Sequence, residues 1–168
     1  KRWSDYYKQA ILTSRVNSTR TLVTAMLAMD TPPQVLVSGS AQGFYGDRGD
    51  EELTEASPGG DGFLADVVRA WEAEAVRAAD GGVRVALART GLVMAPDGGA
   101  FGKLLPLIKL GLGGPLGNGR QWWSWITMTD QVAALEHLIR ADVSGPVNLC
   151  APQPARNREV VAALGRAF

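Results

Sequence analysis

An α/β fold with a parallel sheet is the architecture this sequence predicts, on three observations. A short β-branched run, Gln34 to Ser38, is followed by a helical repeat and then by a second apolar run within Val83 to Val93. Strand, helix, strand in that order is a βαβ unit, whose strands run parallel. A third short run, Pro146 to Leu149, again follows a helical repeat. The composition fits a packed domain: 46% hydrophobic and only 20% charged, well away from the polar extreme of disordered chains.

In chain order, the first 29 residues read as helix. Val16, Thr19, Leu22, Val23, Met26 and Leu27 share one helical face. Asp30 to Pro33 stops it, because the residue before a proline disfavours the helical region. After the first strand, residues 39–61 form a long loop rich in Gly, Asp and Glu. Loops of that length are usually functional or disordered. Residues 63–79 read as helix, with Phe63, Val67, Trp71 and Ala75 on one face, and Gly81-Gly82 ends it. Ala100 to Leu110 reads as helix and leads into a Gly-rich stretch ending at Gly119. Thr129 to Asp142 is expected to be a helix burying Val132, Leu135, Leu138 and Ile139, with His137 structural among them. A last helix, Arg156 to Phe168, should turn Val160, Val161, Leu164 and Phe168 inward. Both ends read as cut. No strand precedes the first helix, and the last helix has no C-cap signal.

Several function classes are excluded or disfavoured. Lys and Arg number 17, as do Asp and Glu, so no basic field exists for nucleic acid or a membrane surface. Cys150 is the only cysteine and His137 the only histidine. A disulfide within the chain, a cysteine zinc site and a multi-histidine metal centre are therefore out. Asp47, Asp50, Glu51, Glu52 and Glu55 cluster in the long loop but lack an EF-hand spacing, so a solvated acidic loop and no metal are expected. No apolar run approaches the ~18 residues of a membrane span and no signal peptide is visible, so a cytoplasmic location is expected.

Four motifs line up in order. Val37-Ser38-Gly39-Ser40-Ala41-Gln42-Gly43-Phe44-Tyr45-Gly46-Asp47 follows a strand, and Arg89-Thr90-Gly91-Leu92-Val93 closes the next. Leu116-Gly117-Asn118-Gly119-Arg120-Gln121 precedes Ser124-Trp125-Ile126 and Asp130, and Gly145-Pro146-Val147-Asn148-Leu149 begins the last strand. This order resembles the extended short-chain dehydrogenase/reductases, and more closely their atypical branch, the epimerase family of NAD-dependent epimerase/dehydratase-like proteins. The resemblance covers nearly the whole chain. It implies part of a Rossmann-like doubly wound parallel sheet with a small substrate-binding lobe. Residues 1–98 would be the C-terminal half of the Rossmann-like domain. Residues 99–168 would be a substrate-lobe segment with a returning strand and helix. It also implies an NAD or NADP cofactor, an oxidoreductase or epimerase activity and a small-molecule substrate, with a homodimer left open. Relatives hold the cofactor pyrophosphate on a Gly-rich turn at a helix N-terminus. No such turn follows a strand in this chain.

The resemblance marks the site residues. Ser40 matches the serine whose hydroxyl meets the reacting oxygen, with Ser38 and Gly39 beside it at the cofactor. Arg89 and Thr90 end a strand at the crevice, and Gly91, Leu92 and Val93 would lie against the nicotinamide. The acid of the superfamily is a tyrosine in Tyr-x-x-x-Lys. Here that helix reads Phe63-Leu64-Ala65-Asp66-Val67-Val68-Arg69-Ala70-Trp71-Glu72, without the tyrosine or the lysine. Tyr45 is the candidate replacement acid. Asp66 and Glu72 read as solvated charges. Arg15 could offer a fixed charge to a substrate phosphate or carboxylate. Gln121 borders the expected substrate. Trp125, with Trp122 and Trp123, suits either a ligand wall or a packing belt. Three readings follow: an NAD(P)-dependent enzyme on a small polar carbonyl or hydroxyl compound, a non-catalytic dinucleotide-binding or regulatory protein, and a segment inactive by itself.

Overall fold

The structure, a computed structural model, describes residues 3–96 and 98–167. Phe168, expected to point inward, lies outside the described residues. The elements in order are α1 (Asp5–Leu27), β1 (Val35–Ala41), α2 (Phe63–Val76), β2 (Arg84–Thr90), β3 (Leu92–Met94) and α3 (Gly99–Lys109). Then follow β4 (Trp122–Trp123), β5 (Trp125–Thr127), α4 (Met128–Arg140), β6 (Gly145–Leu149), β7 (Ala155–Arg156) and α5 (Asn157–Ala167). No helix among the described residues is long and apolar enough to cross a membrane.

Two compact units emerge, each discontinuous in sequence. The first joins residues 1–89 to 135–148; the second joins 90–134 to 149–168. The expected division at 98/99 is continuous, whereas the chain crosses between these units more than once.

The first unit is built on a sheet of order β1-β2-β6. The Arg84 N–H donates to the Gln34 carbonyl at the starts of β2 and β1, and the Gly91 N–H donates to the Leu149 carbonyl just past β2 and at the end of β6. Start meets start and end meets end, so the strands run parallel. Its core gathers Val23 of α1, Leu36 of β1, Ala75 and Ala78, and Val83, Val85 and Leu87 at β2. β2 is buried along its middle, as a strand covered on both faces must be. On α1 the inward stripe is narrower than its apolar residues suggest. Thr19 and Val23 are buried and Met26 packs against the core, while Leu22 and Leu27 point outward. Glu74 of α2 accepts hydrogen bonds from Arg20 of α1 and from Arg77, first of which Arg20 holds its carboxyl below the ordinary carboxylate range.

The loop after β1 begins with a 3₁₀ turn over Gln42–Tyr45. It closes on itself where the Gly60 N–H donates to the Phe44 carbonyl at 3.0 Å. The acidic residues are partly used: Arg48 pairs with Glu51, and Glu55 accepts from the Asn148 N–H at 2.8 Å. No cluster of three or more His, Cys, Asp or Glu able to hold a metal occurs among the described residues.

Helix α4 corrects an expectation. Only Leu138 of its apolar set is buried; Leu135 is half-buried, and Val132, Ile139 and His137 are exposed. The inward stripe runs through Gln131, Leu135 and Leu138, too narrow to include residues on either side. Arg84 satisfies the helix end, donating to the carbonyls of Leu138, Ile139 and Val143. At its start, Thr127 Oγ1 accepts from the Asp130 N–H at 3.0 Å and donates to Asp130 Oδ2 at 2.7 Å. Thr127 is thus the residue that caps α4, with Asp130 at the third helical position. Thr127→Ala should cost about 1 kcal/mol of stability, read from the urea midpoint; an unchanged midpoint would show that the cap contributes nothing.

In the second unit β3 and β5 pair in parallel, with Leu92 opposite Trp125 and Val93 opposite Ile126. β4 and β7 pair antiparallel, with Trp122 opposite Arg156. A separate core joins Leu104 and Ile108 of α3 to Val161 and Leu164 of α5 and to Trp123. Cys150 is half-buried.

Candidate functional site

Alternation along β1 turns Ser38 and Ser40 to one buried side and leaves Gly39 exposed between them. Ser38 Oγ donates to the Gly39 carbonyl at 3.1 Å, whereas Ser40 Oγ reaches α2 and donates to Glu72 Oε1 at 2.5 Å. Glu72 is only 7% exposed, which overturns its reading as a solvated charge. It belongs to the face of α2 formed by Ala65, Val68 and Ala75, spaced to lie under one another on a helix.

Its partner is Arg89, 4% exposed near the end of β2. Arg89 Nε and Nη2 each donate to a different Glu72 oxygen at 2.9 Å, a two-pronged pair. Arg89 Nη1 donates to Tyr45 Oη at 3.0 Å, and Tyr45 Oη donates to Asn148 Oδ1 at 2.7 Å. The guanidinium also lies 3.5 Å from the centre of the Phe44 ring, a cation–π contact. Burial by itself lowers the Arg89 pKa, but the hydrogen bonds to Glu72 and Tyr45 outweigh it and hold the group above its ordinary value. Ser40, Tyr45 and Arg89 are thus drawn into one buried network through Glu72, which the sequence reading missed.

Arg15 stands apart from this network. Its Nη1 donates to the Ile11 carbonyl and to Ser14, and its guanidinium lies 5.7 Å from the Trp71 ring centre. A Cβ at Gly39 would come within 3.0 Å of the edge of the same Trp71 ring, so a larger residue would have to push the indole aside by a few tenths of an ångström. Asp66 is an exposed charge, as expected, and pairs with Arg69.

The remaining candidates belong to the second unit. Thr90 Oγ1 accepts from Gln131 Nε2 at 3.2 Å. Gly91 breaks the chain between β2 and β3, and the Leu92 N–H donates to the Ser124 carbonyl at 2.7 Å. Trp125 is half-buried and its Nε1 donates to the Gln153 carbonyl at 3.0 Å. Gln121 is exposed, its amide donating back to the Leu116 carbonyl at 3.0 Å. The three tryptophans do not form one wall: Trp123 packs edge-on to Phe101, and Trp122 lies under Arg156.

The model of the NAD dependent epimerase/dehydratase family matches residues 1–150. Epimerase family proteins of Mycobacterium bovis and Mycobacterium tuberculosis are 42% identical over 168 residues, covering 99% of this chain and 55% of theirs. A human epimerase family protein is 37% identical over 172 residues, covering 100% of this chain and 58% of its own. A crystal structure of the human epimerase family protein with NADPH superposes at a TM-score of 0.91 and 36% identity, over 98% of this chain and 58% of that one. A nucleoside-diphosphate sugar epimerase from Corynebacterium glutamicum superposes at 0.87 and 39% identity, over 99% of this chain and 36% of that one. The chain spans about half the length of the curated relatives it matches.

Proposed function

The chain belongs to the NAD dependent epimerase/dehydratase family, and from that membership we propose that it supplies the nicotinamide-end and substrate-side residues of an NAD(P)-dependent oxidoreductase or epimerase-like protein. The observation that carries this reading is the polar carboxyl end of β1. Ser38, Gly39 and Ser40 end a parallel strand, where open α/β sheets place their ligands. Gly39 is exposed and adds no side chain to the strand end, so a ligand can approach its backbone closely where Trp71 leaves it uncovered. The human relative crystallised with NADPH favours a nicotinamide dinucleotide. Such a cofactor supplies hydride transfer when bound; the protein orients it and handles the proton.

In this reading Gly91, Leu92 and Val93 face the nicotinamide. Ser40 and Tyr45 are the catalytic hydroxyls, held in place by Glu72 and Arg89. Arg15, Gln121 and Trp125 serve the substrate. No Gly-rich turn for the pyrophosphate follows a strand in these 168 residues, so the chain should bind NADPH weakly and by its nicotinamide end.

Saturation-transfer NMR of NADPH with the 168-residue chain tests this. Nicotinamide protons should take up saturation most strongly, with millimolar dissociation. Saturation confined to adenine, or none at all, overturns the reading. A second reading, a dinucleotide-binding regulator without turnover, is favoured by the absence of Tyr-x-x-x-Lys in α2. Turnover on a panel of carbonyl compounds, reduced about tenfold or more in Ser40→Ala, would decide for the enzyme. Binding without turnover would decide for the regulator.

A further inference from the structure

Within the second unit, a pocket of about 420 Å³ opens between the end of β3, the Trp125 indole and one face of α5. That volume falls inside the ~300–1,000 Å³ typical of small-molecule sites. Met94 and Trp125 form one wall, and Val160, Ala163 and Leu164 the other. The Trp125 wall is fixed twice over. Its indole N–H donates to the Gln153 carbonyl at 3.0 Å, and its own carbonyl accepts from the Ala151 N–H at 2.6 Å.

Charge decides what the pocket can hold. Its lining contains no Lys, Arg or His. The one ionisable lining group is Glu159, whose Oε2 accepts from the Arg156 N–H at 2.8 Å and is thereby anchored at the start of α5. The adjacent Arg156 guanidinium is stacked 3.9 Å from the Trp122 ring centre and donates to the Arg120 carbonyl. A phosphate in this pocket would meet a carboxylate and carbon, with no basic group to neutralise it. An uncharged ring would bury apolar surface against Trp125, Val160 and Leu164.

We propose that this pocket takes the uncharged aryl or alicyclic body of a small substrate and excludes a nucleotide diphosphate. Its position supports the assignment: Met94 directly follows Gly91, Leu92 and Val93, and Trp125 is the register partner of Leu92. The inference rests on the reading that this strand faces the nicotinamide. It replaces the polar substrate expected from the sequence with an apolar one.

The test is a fluorescence titration of the 168-residue chain with N-phenyl-1-naphthylamine, an uncharged probe made of a naphthalene and a phenyl group. Micromolar binding is expected, with energy transfer from tryptophan, and without displacement by UDP-glucose at millimolar concentration. Ala163→Phe, on an exposed face of α5, should fill the pocket and weaken the probe by about tenfold or more. Ala163→Leu, a smaller insertion, should weaken it less, and circular dichroism checks that both variants fold. Unchanged binding in both folded variants overturns the proposal, as does displacement by UDP-glucose. A chain that dimerises through this face, with Ala163→Phe giving monomers and no probe binding in the parent, also overturns it. Probe binding lost on Ala163→Phe while NADPH shows no nicotinamide saturation keeps the pocket and sinks the cofactor reading. The converse sinks the pocket alone.

Discussion

Glu72→Ala should remove about 3–5 kcal/mol of folding stability, because it strands a buried guanidinium without its counter-charge. Arg89 is 4% exposed and would keep the Tyr45 oxygen and the Phe44 and Tyr45 rings as partners, none of them charged. Ser40 would lose its acceptor at the same time. Urea unfolding followed by circular dichroism gives the number. The sharper result is the double variant Glu72→Met with Arg89→Met. Removing both charges removes both desolvation costs, so the double variant should be more stable than Glu72→Ala alone. A single-variant loss below about 1 kcal/mol would mean that water reaches the pair as it does on a surface, and the network would then be no scaffold for Ser40 and Tyr45.

Gly60→Ala is expected to cost about 3 kcal/mol or more, for a different reason. A Cβ there would sit 1.9 Å from the Tyr45 carbonyl oxygen and 2.9 Å from the Gly46 nitrogen, and both are backbone. Neither can swing aside as a side chain would, so the loop must open. The bond from Gly60 to the Phe44 carbonyl goes with it. Gly49→Ala is the control. Gly49 has open space around it but a φ of +60, so its cost is conformational alone and should be about 1–2 kcal/mol. The two costs should differ in the urea midpoint, and amide exchange at 43–61 should accelerate only in Gly60→Ala. Equal effects from both variants would sink the close-approach argument.

The main sheet was legible because its strands are short runs bounded by proline and glycine. The paired strands β3–β5 and β4–β7 were not. Two or three residues show no alternation, and only tertiary contact makes them strands. The outward Val132 and Ile139 illustrate the same limit: periodicity marks an apolar face without saying how wide a stripe its neighbour covers. In the candidate site, Ser40 and Arg89 were picked out by their motifs, and Glu72 was missed. Its signal was available. It occupies the third place in the run Ala65, Val68, Glu72, Ala75, while Arg89 is the charge at the end of the buried stretch of β2. An acid on a buried helix face and a base in a buried strand can each be tolerated only if they meet. Neither the helix pattern nor the strand pattern carries that condition alone.

The discontinuity of the first unit bears on how the chain is made. During synthesis β1, α2 and β2 leave the ribosome together, but β6, their third strand, is encoded beyond residue 144. At roughly 5–20 residues per second, several seconds separate the two events. Through that interval the nascent β2 presents an unpaired, apolar edge on the side β6 will occupy, and such edges recruit other chains. The vulnerable period for aggregation is therefore set by the length of the second unit's insertion, residues 90–134.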